Sequence, residues 1–321
     1  MMNDIDSLDV SVVMPVYNAE RTLREAINSV LAQTFRHFEL IICNDASTDN
    51  TPDILTSFSD KRIRIIHNGS NHGPGPSRNR IIEIAKGNWL AFTDADDKWE
   101  TDRLEILMQE VKNSYDAMVF DDIVECHDTP RGLVPWKNLR GKYAFGGNGV
   151  SATEVPIEQF ICSKRLLIKP IIPAGLIKKY EIRHISFRFA EDTDFFLKAL
   201  SHGLKLRYIP KPMYYYRITP ASATSLSSRS TMMREVLEET IGKFEHAPTV
   251  QAALRKKIAM VAREEQYLPF VQELKKKNFY KAFQTACHSP WIISELFSRL
   301  SLSLYYQTHR IWHGGRTRGI R

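Results

Sequence analysis

Between Val10 and Asp94 the chain repeats one pattern four times: a short apolar run, then a helical or turn-rich stretch. "VSVVMPV" (Val10–Val16), "FELIIC" (Phe38–Cys43), "RIRIIH" (Arg62–His67) and "NWLAFTD" are the apolar runs. Their length and β-branched content predict buried strands. Between the first two, Leu23, Ala26, Ile27, Val30 and Leu31 recur at helical spacing, with Asn18 as a candidate N-cap. Between the last two, "NGSNHGPGPSRN" reads as a Gly/Pro loop, "RIIEIAK" as a helix, and Gly87 ends it. Such alternation implies right-handed crossovers and a mainly parallel sheet. Ligands of such sheets bind beyond the carboxyl ends of the strands.

"DAMVFDDIVE" (Asp116–Glu125) predicts a further strand, and 128–150 a long loop of the kind that shapes binding sites. Glu191–Gly203 predicts a helix, and "LKLRYIP" and "MYYYRI" two short strands about the turn at Pro210 and Pro212. From about Ser228 the pattern turns helical. The expected division is a catalytic domain over 1–228, with halves of about 8–100 and 101–228, and a basic helical region over 229–321. The net charge is +7, yet the chain from Gln251 onward holds thirteen Lys or Arg against four Glu, or +9, which leaves −2 for the rest. The basic character belongs to the C-terminal region. Four dispersed cysteines predict neither a zinc site nor a disulfide framework, and fit a reducing compartment. The polar N-terminus predicts no secretory signal, and no apolar run is long enough for a membrane span.

Four clusters could carry chemistry. In "FTDADDKW", Asp94 and Asp96 share one side if the strand extends that far, forming an oxygen-rich site for a hard cation. The other reading is a solvated turn capping a helix near Glu100. In "CNDASTDNT", Asp45 ends a strand where a nucleobase or ribose could donate to it, and Asp49 can cap the next helix; an Asx-turn explains the same residues. In "NHGPGPSRN", the glycines permit close backbone approach and Arg78 can meet phosphate or a sugar hydroxyl, or the segment is an ordinary loop. In "AEDTDFF", Glu191 and Asp192 stand at a helix start, where anions are favoured for structural reasons too.

In this order, "PVYN", "NDASTD", "SRN…AKG…FTDADD" and a later "ED" resemble the GT-A domain of the family-2 inverting glycosyltransferases over roughly residues 8–220. The resemblance implies an α/β fold with a mixed, mainly parallel, Rossmann-like sheet flanked by helices. It also implies transfer of one hexose from a nucleotide-sugar, expected to be a UDP-sugar, to a glycan or lipid-linked glycan. Pro15, Val16 and Tyr17 would line the nucleobase pocket, Asp45 would accept from the base, Arg78 would lie near the nucleotide and Asp94 would hold ribose or sugar. Asp96 would coordinate Mn²⁺ or Mg²⁺ on the diphosphate, and Asp192 would be the general base. Glu191 and Trp99 fall on the acceptor side, and Arg217 could reach the diphosphate as its loop closes. Asp97 would be a helix-start acid or a support for its neighbours. The family's two acids and a glycine stand here as Asn44, Asp45 and Ala46, which puts the turn in question. The Q-x-x-R-W motif of processive members is absent, which favours one sugar per encounter.

The C-terminal lysines, with Phe279, Tyr280, Phe283 and Trp291 among them, suit packing on the catalytic domain, an anionic membrane surface or, least, nucleic acid. The expected location is cytoplasmic, peripheral on the inner face of the inner membrane, in surface or exported polysaccharide synthesis. Competing functions are a nucleotidyltransferase on a related sheet and an inactive binding module. "YNAE" after the first strand lacks the phosphate loop of the former, and the retained Asp94, Asp96 and Asp192 speak against the latter.

Overall fold

The computed structural model describes residues 9–292, apart from 113, 130–131, 140–144, 146–150, 164, 187–188, 219–225 and 289–290. The first apolar run forms β1 (Val10–Val16), buried along its whole length, and α1 (Leu23–Leu31) follows. β2 (Phe38–Asn44), α2 (Thr51–Thr56), β3 (Ile63–His67), α3 (Pro74–Ile84) and β4 (Trp89–Phe92) continue the alternation. β1 pairs in parallel with β2 and with β4, and β2 with β3. Helices cover such strands on both faces, which is why they read as near-continuous apolar runs. Leu23, Ala26, Ile27 and Val30 of α1 are buried in the core shared with Val12 and Met14. Leu23, Ile27 and Val30 each contribute roughly 1.5–3 kcal/mol by leaving water. The chain winds outward from β1 to β3, then returns to the other side of β1 at β4. This reversal opens a crevice at the carboxyl ends of β1 and β4.

The second half adds β5 (Lys98–Trp99), α4 (Arg103–Val111), β6 (Ala117–Thr129), β7 (Gly132–Asn138), β8 (Thr153–Glu154) and α5 (Ile157–Ile161). β9 (Ile171–Pro173), α6 (Ala174–Lys179), α7 (Glu191–Ser201) and β10 (Lys205–Ile218) complete the sheet region. The strand order is β3-β2-β1-β4-β9-β6-β10-β5, with β7 on β6 and β8 on β10. β9 runs antiparallel between β4 and β6 and joins the two halves. The mixed, mainly parallel sheet expected from the sequence is therefore present.

Several local expectations change. Part of the expected 128–150 loop is β7, which folds back on β6 as a hairpin; its Pro135 suits a strand at the sheet edge. β10 is one strand of fourteen residues, because register shifts at Ile209/Pro212 and Pro212/Tyr214 absorb the two prolines. Asn18 does not cap α1, whose N-cap is Thr22. Asn18 instead adopts φ 47° and accepts from Thr48 N at 2.8 Å.

α8 (Leu226–Ile241), α9 (Pro248–Lys275) and α10 (Phe279–His288) follow. The chain forms two compact units, one from Met1–Thr224 with Met232–Ile258, the other from Ser225–Thr231 with Ala259–Arg321. Met232–Ile258 thus belongs with the sheet unit, and the chain does not divide once near residue 228. Among the described residues, no helix is long and apolar enough to cross a membrane.

Candidate active site

The loops after β1 and β2 are zipped together. Asn18 N donates to Ser47 Oγ (3.0 Å), Ala19 N to Thr51 Oγ1 (2.8 Å) and Glu20 N to Asp49 Oδ2 (3.1 Å). "NDASTD" is thus first a scaffold, with Asp49 also accepting from Thr51 N at the start of α2. Ala46, where the family pattern has glycine, takes φ 58°. The turn survives the substitution in a left-handed conformation costly for a side chain.

Asp45 is buried and accepts from Asn68 Nδ2 (2.5 Å), His72 N (3.1 Å) and Gly73 N (2.7 Å). It fixes the entry to α3, where Gly73 takes φ 89°. Gly75 serves an approach between backbones: a Cβ there would meet Ile185 O at 2.4 Å. Pro15 and Val16 are buried at the end of β1, while Tyr17 presents a half-exposed ring at the crevice.

β4 ends at Phe92, so Asp94–Asp97 form a turn rather than a strand extension. Asp97 N donates to Asp94 O at 3.3 Å. Asp97 is fully buried and accepts from Tyr214 Oη (2.5 Å) and Arg217 N (2.9 Å). It is the support of the turn, not a helix-start acid. Burial, reinforced by Asp96 and Asp94, pushes its carboxyl well above the ordinary range. Arg217 grips the same turn. Its Nε donates to Asp96 O (2.8 Å), Nη1 to Asp128 (2.6 Å) and Nη2 to Glu25 (2.6 Å). With these partners it is an anchor of the Asp96 turn in this state, not a free arm.

Arg78, projecting from α3, is buried and faces three acids. Its Nη2 lies 2.7 Å from Asp94 Oδ1, and Nη1 lies 3.0 Å from Glu191 Oε1 and 2.9 Å from Asp192 Oδ1. Glu191 and Asp192 occupy the first turn of α7, whose N-terminus favours anions. The preceding Ala190 takes φ 66° and sets the angle at which α7 enters.

Two members of the site carry no motif. Lys169 is buried, with Nζ 2.5 Å from Asp94 Oδ2 and 3.1 Å from Asp192 Oδ2. His184 stacks flat on Phe195 (3.9 Å between centroids), with Nδ1 3.7 Å from Asp192 Oδ1. Asn79 clasps the His184 backbone at both N (2.8 Å) and O (2.9 Å). The signal for Lys169 was a lone lysine in "LLIKPII": a charge inside an apolar run is buried against a partner or is misplaced.

Trp99 is corrected. It is 2% exposed and belongs to the core. The Arg103 guanidinium lies over its ring at 4.4 Å, pairs with Asp121 (2.8 Å) and donates to Lys169 O (2.5 Å). Trp99 thus stands two contacts behind the site and offers no surface to an acceptor.

The charges sort the acids. Burial alone would raise Asp192, but Arg78 and Lys169 outweigh it and hold the carboxyl well below the usual range. Asp94 is likewise lowered, by Lys169 and Arg78 against burial. Glu191 is raised, by burial and by Asp192. Asp96 is raised to about 6, by burial and by Asp94. Its carboxylate makes no ion pair or hydrogen bond to another side chain among the described residues. Fully ionised, Asp94, Asp96, Glu191 and Asp192 carry two more charges than Arg78 and Lys169. A divalent cation would balance that excess, and Asp96 has lone pairs to give it. No group of three or more His, Cys, Asp or Glu forms a closed metal site among the described residues. Asp96, with Asp94 beside it, could give a hard divalent cation one or two carboxylates, phosphate oxygens completing its shell.

Residues 11–163 match the family model described as Glycosyl transferase family 2. The chain is 28% identical over 239 residues to the Escherichia coli UDP-Glc:alpha-D-GlcNAc-diphosphoundecaprenol beta-1,3-glucosyltransferase WfaP, covering 74% of this chain and 88% of that one. It is 24% identical to the succinoglycan biosynthesis protein ExoO of Rhizobium meliloti (strain 1021), covering 95% and 88%. S. aureus TarS 1-349, solved in complex with UDP-GlcNAc, superposes with a TM-score of 0.63 at 24% identity, covering 79% of this chain and 71% of that one. That likeness establishes the GT-A fold. The match of residues 11–163 to Glycosyl transferase family 2, just under half of the chain, makes the crevice-forming segment similar to that family.

Proposed function

We propose that the chain moves one hexose, with inversion, from a UDP-hexose to a lipid-linked glycan during synthesis of a bacterial surface or exported polysaccharide. The observation that carries this reading is the bridge from Asp94 through Lys169 and Arg78 to Asp192, beside an uncommitted Asp96. It supports the reading by bringing together carboxylates that could serve as sugar-side acid, cation-side acid and proton acceptor. WfaP supports the substrate class, since its name states a UDP-sugar donor, a diphosphoundecaprenol-linked acceptor and a β product. Membrane contact through the C-terminal helices, from the cytoplasmic side, belongs to the same reading.

Tyr17 and the ends of β1 and β2 would receive the uridine, and Asp94 the sugar or ribose. Asp96 would hold Mn²⁺ or Mg²⁺, which when bound offsets the charge growing on the leaving diphosphate. The acceptor hydroxyl attacks the anomeric carbon opposite that leaving group. The new C–O bond forms as the old one breaks, UDP departs with the bonding pair, and the hydroxyl proton passes to Asp192. Arg78 and Lys169 keep Asp192 ionised but make it a weak base. Proton transfer therefore comes late, when the attacking oxygen is already positively charged and acidic. No covalent enzyme intermediate is needed.

A panel of nucleotide-sugars with Mn²⁺ or Mg²⁺, read by donor binding and by transfer to a diphosphate-linked acceptor, tests the proposal. Asp192→Asn should bind donor normally and lose transfer by about 10²–10⁴-fold. Wild-type transfer by that variant would overturn the base assignment.

A further inference from the structure

The second unit has its own small core, in which Tyr267 and Phe270 of α9 pack with Ala282 and Ala286 of α10 and with Ile292. This core uses one face of α10. At about 100° per residue, Ala282 and Ala286 mark that face, and Phe279, Phe283, Cys287 and Tyr280 fall on an adjoining arc about 100° wide. Phe279, Tyr280 and Phe283 on this arc are 66%, 74% and 67% exposed. Cys287 is exposed as well. Among the described residues, the core of this unit uses the alanine face of α10 and leaves the aromatic arc exposed.

Charge stands next to the arc in the chain. Lys275, Lys276 and Lys277, at the corner between α9 and α10, are all exposed. The neighbouring acid, Glu273, is engaged by Lys276 (3.2 Å) and by Asn278 Nδ2 (3.0 Å). Three large exposed apolar side chains next in the chain to three exposed lysines match a surface that is apolar beneath and anionic above. A second copy of this chain fits poorly, because a two-fold contact would set the lysines against lysines.

We infer that the α9–α10 corner is an interfacial anchor, with Phe279, Tyr280 and Phe283 entering the acyl boundary of an anionic phospholipid surface and Lys275, Lys276 and Lys277 at its headgroups. The inference rests on the membrane-contact reading above and deepens it. It names the element, the depth-seeking side chains and the lipid charge they require.

Flotation of the full chain with vesicles of phosphatidylglycerol and phosphatidylcholine, against phosphatidylcholine alone, tests it. The wild type should float with the anionic vesicles and release in about 0.5 M NaCl, where screening shortens to a few ångströms. F279S/F283S should partition at least about tenfold more weakly. K275Q/K276Q/K277Q should lose about fivefold per lysine on anionic vesicles only. UDP-hexose turnover without vesicles should be unchanged in both, which shows that they are folded. Flotation of both variants like the wild type overturns the anchor. So does a wild type that ignores anionic vesicles, or one whose arc instead holds a dimer that the phenylalanine variant dissociates by light scattering. If anchoring fails while transfer to a lipid-linked acceptor is seen, the anchor falls and the substrate reading stands. If the wild type anchors but uses only soluble acceptors, the reverse holds.

Discussion

Replacing Lys169 with methionine keeps most of the length of the side chain and removes its charge. The lysine is 2% exposed and touches two carboxylates, so its loss leaves Asp94 and Asp192 with Arg78 as their shared cation. Breaking a buried pair from one side costs about 3–5 kcal/mol, a large part of the 5–15 kcal/mol typical of a domain. The effect on Asp192 can be worked separately. A unit charge at 3.1 Å and an effective dielectric near 20 is worth about 5 kcal/mol. Asp192 keeps 19% of its side-chain surface in contact with solvent, and screening reduces that figure. Lys169→Met should therefore unfold at lower urea and raise the pH at which the Asp192 carboxyl takes up a proton, read by carboxyl NMR titration. Lys169→Arg should recover much of the stability. A merely structural role predicts the first effect without the second. Wild-type stability together with an unmoved Asp192 titration would refute the argument that Lys169 holds the two acids together.

Asp96→Asn should abolish metal-dependent strengthening of UDP-hexose binding, read by calorimetry with and without Mn²⁺; an unchanged metal response removes Asp96 as the ligand. His184 should make the fold acid-sensitive. Unfolded it takes a proton near pH 6.5, whereas burial and the neighbouring Arg78 hold the folded group off until about 3. The unfolded chain then binds more protons across that window, so stability falls as pH drops through it, by up to about 1.4 kcal/mol per unit. His184→Phe keeps the stack on Phe195 and should flatten this slope relative to wild type in urea titrations from pH 7 to pH 4; parallel slopes would exclude it. Gly75→Ala should cost about 1–3 kcal/mol, because its Cβ would lie 2.4 Å from Ile185 O; an unchanged Tm would show that the loop yields freely.

Some of this was legible at once, for physical reasons. A strand buried on both faces must be apolar along its length, so Val10–Val16 and Phe38–Asn44 announce themselves within a residue of their bounds. The charged turn after β4 stands out because a carboxylate cluster next to such a strand has no role in packing. β7 and the continuous β10 were hidden because prolines read locally as breaks, while a partner strand can tolerate them at an edge or a bulge.

The sequence by itself determined the order of strands and helices, the parallel half-sheet and the acids placed at its rim. Local propensity and hydrophobic period act over a few residues, and these features are that short. Only the tertiary structure decided which charges meet. Arg78 and Glu191 are separated by 113 residues, and Lys169 and Asp94 by 75. Their pairing depends on β9 inserting antiparallel beside β4 and on α7 entering from Ala190 in a left-handed conformation. The same folding withdrew Trp99 into the core and turned Arg217 from an expected donor-side arm into the clamp on the Asp96 turn. Burial and distance set the roles of these side chains, and both are properties of the folded chain.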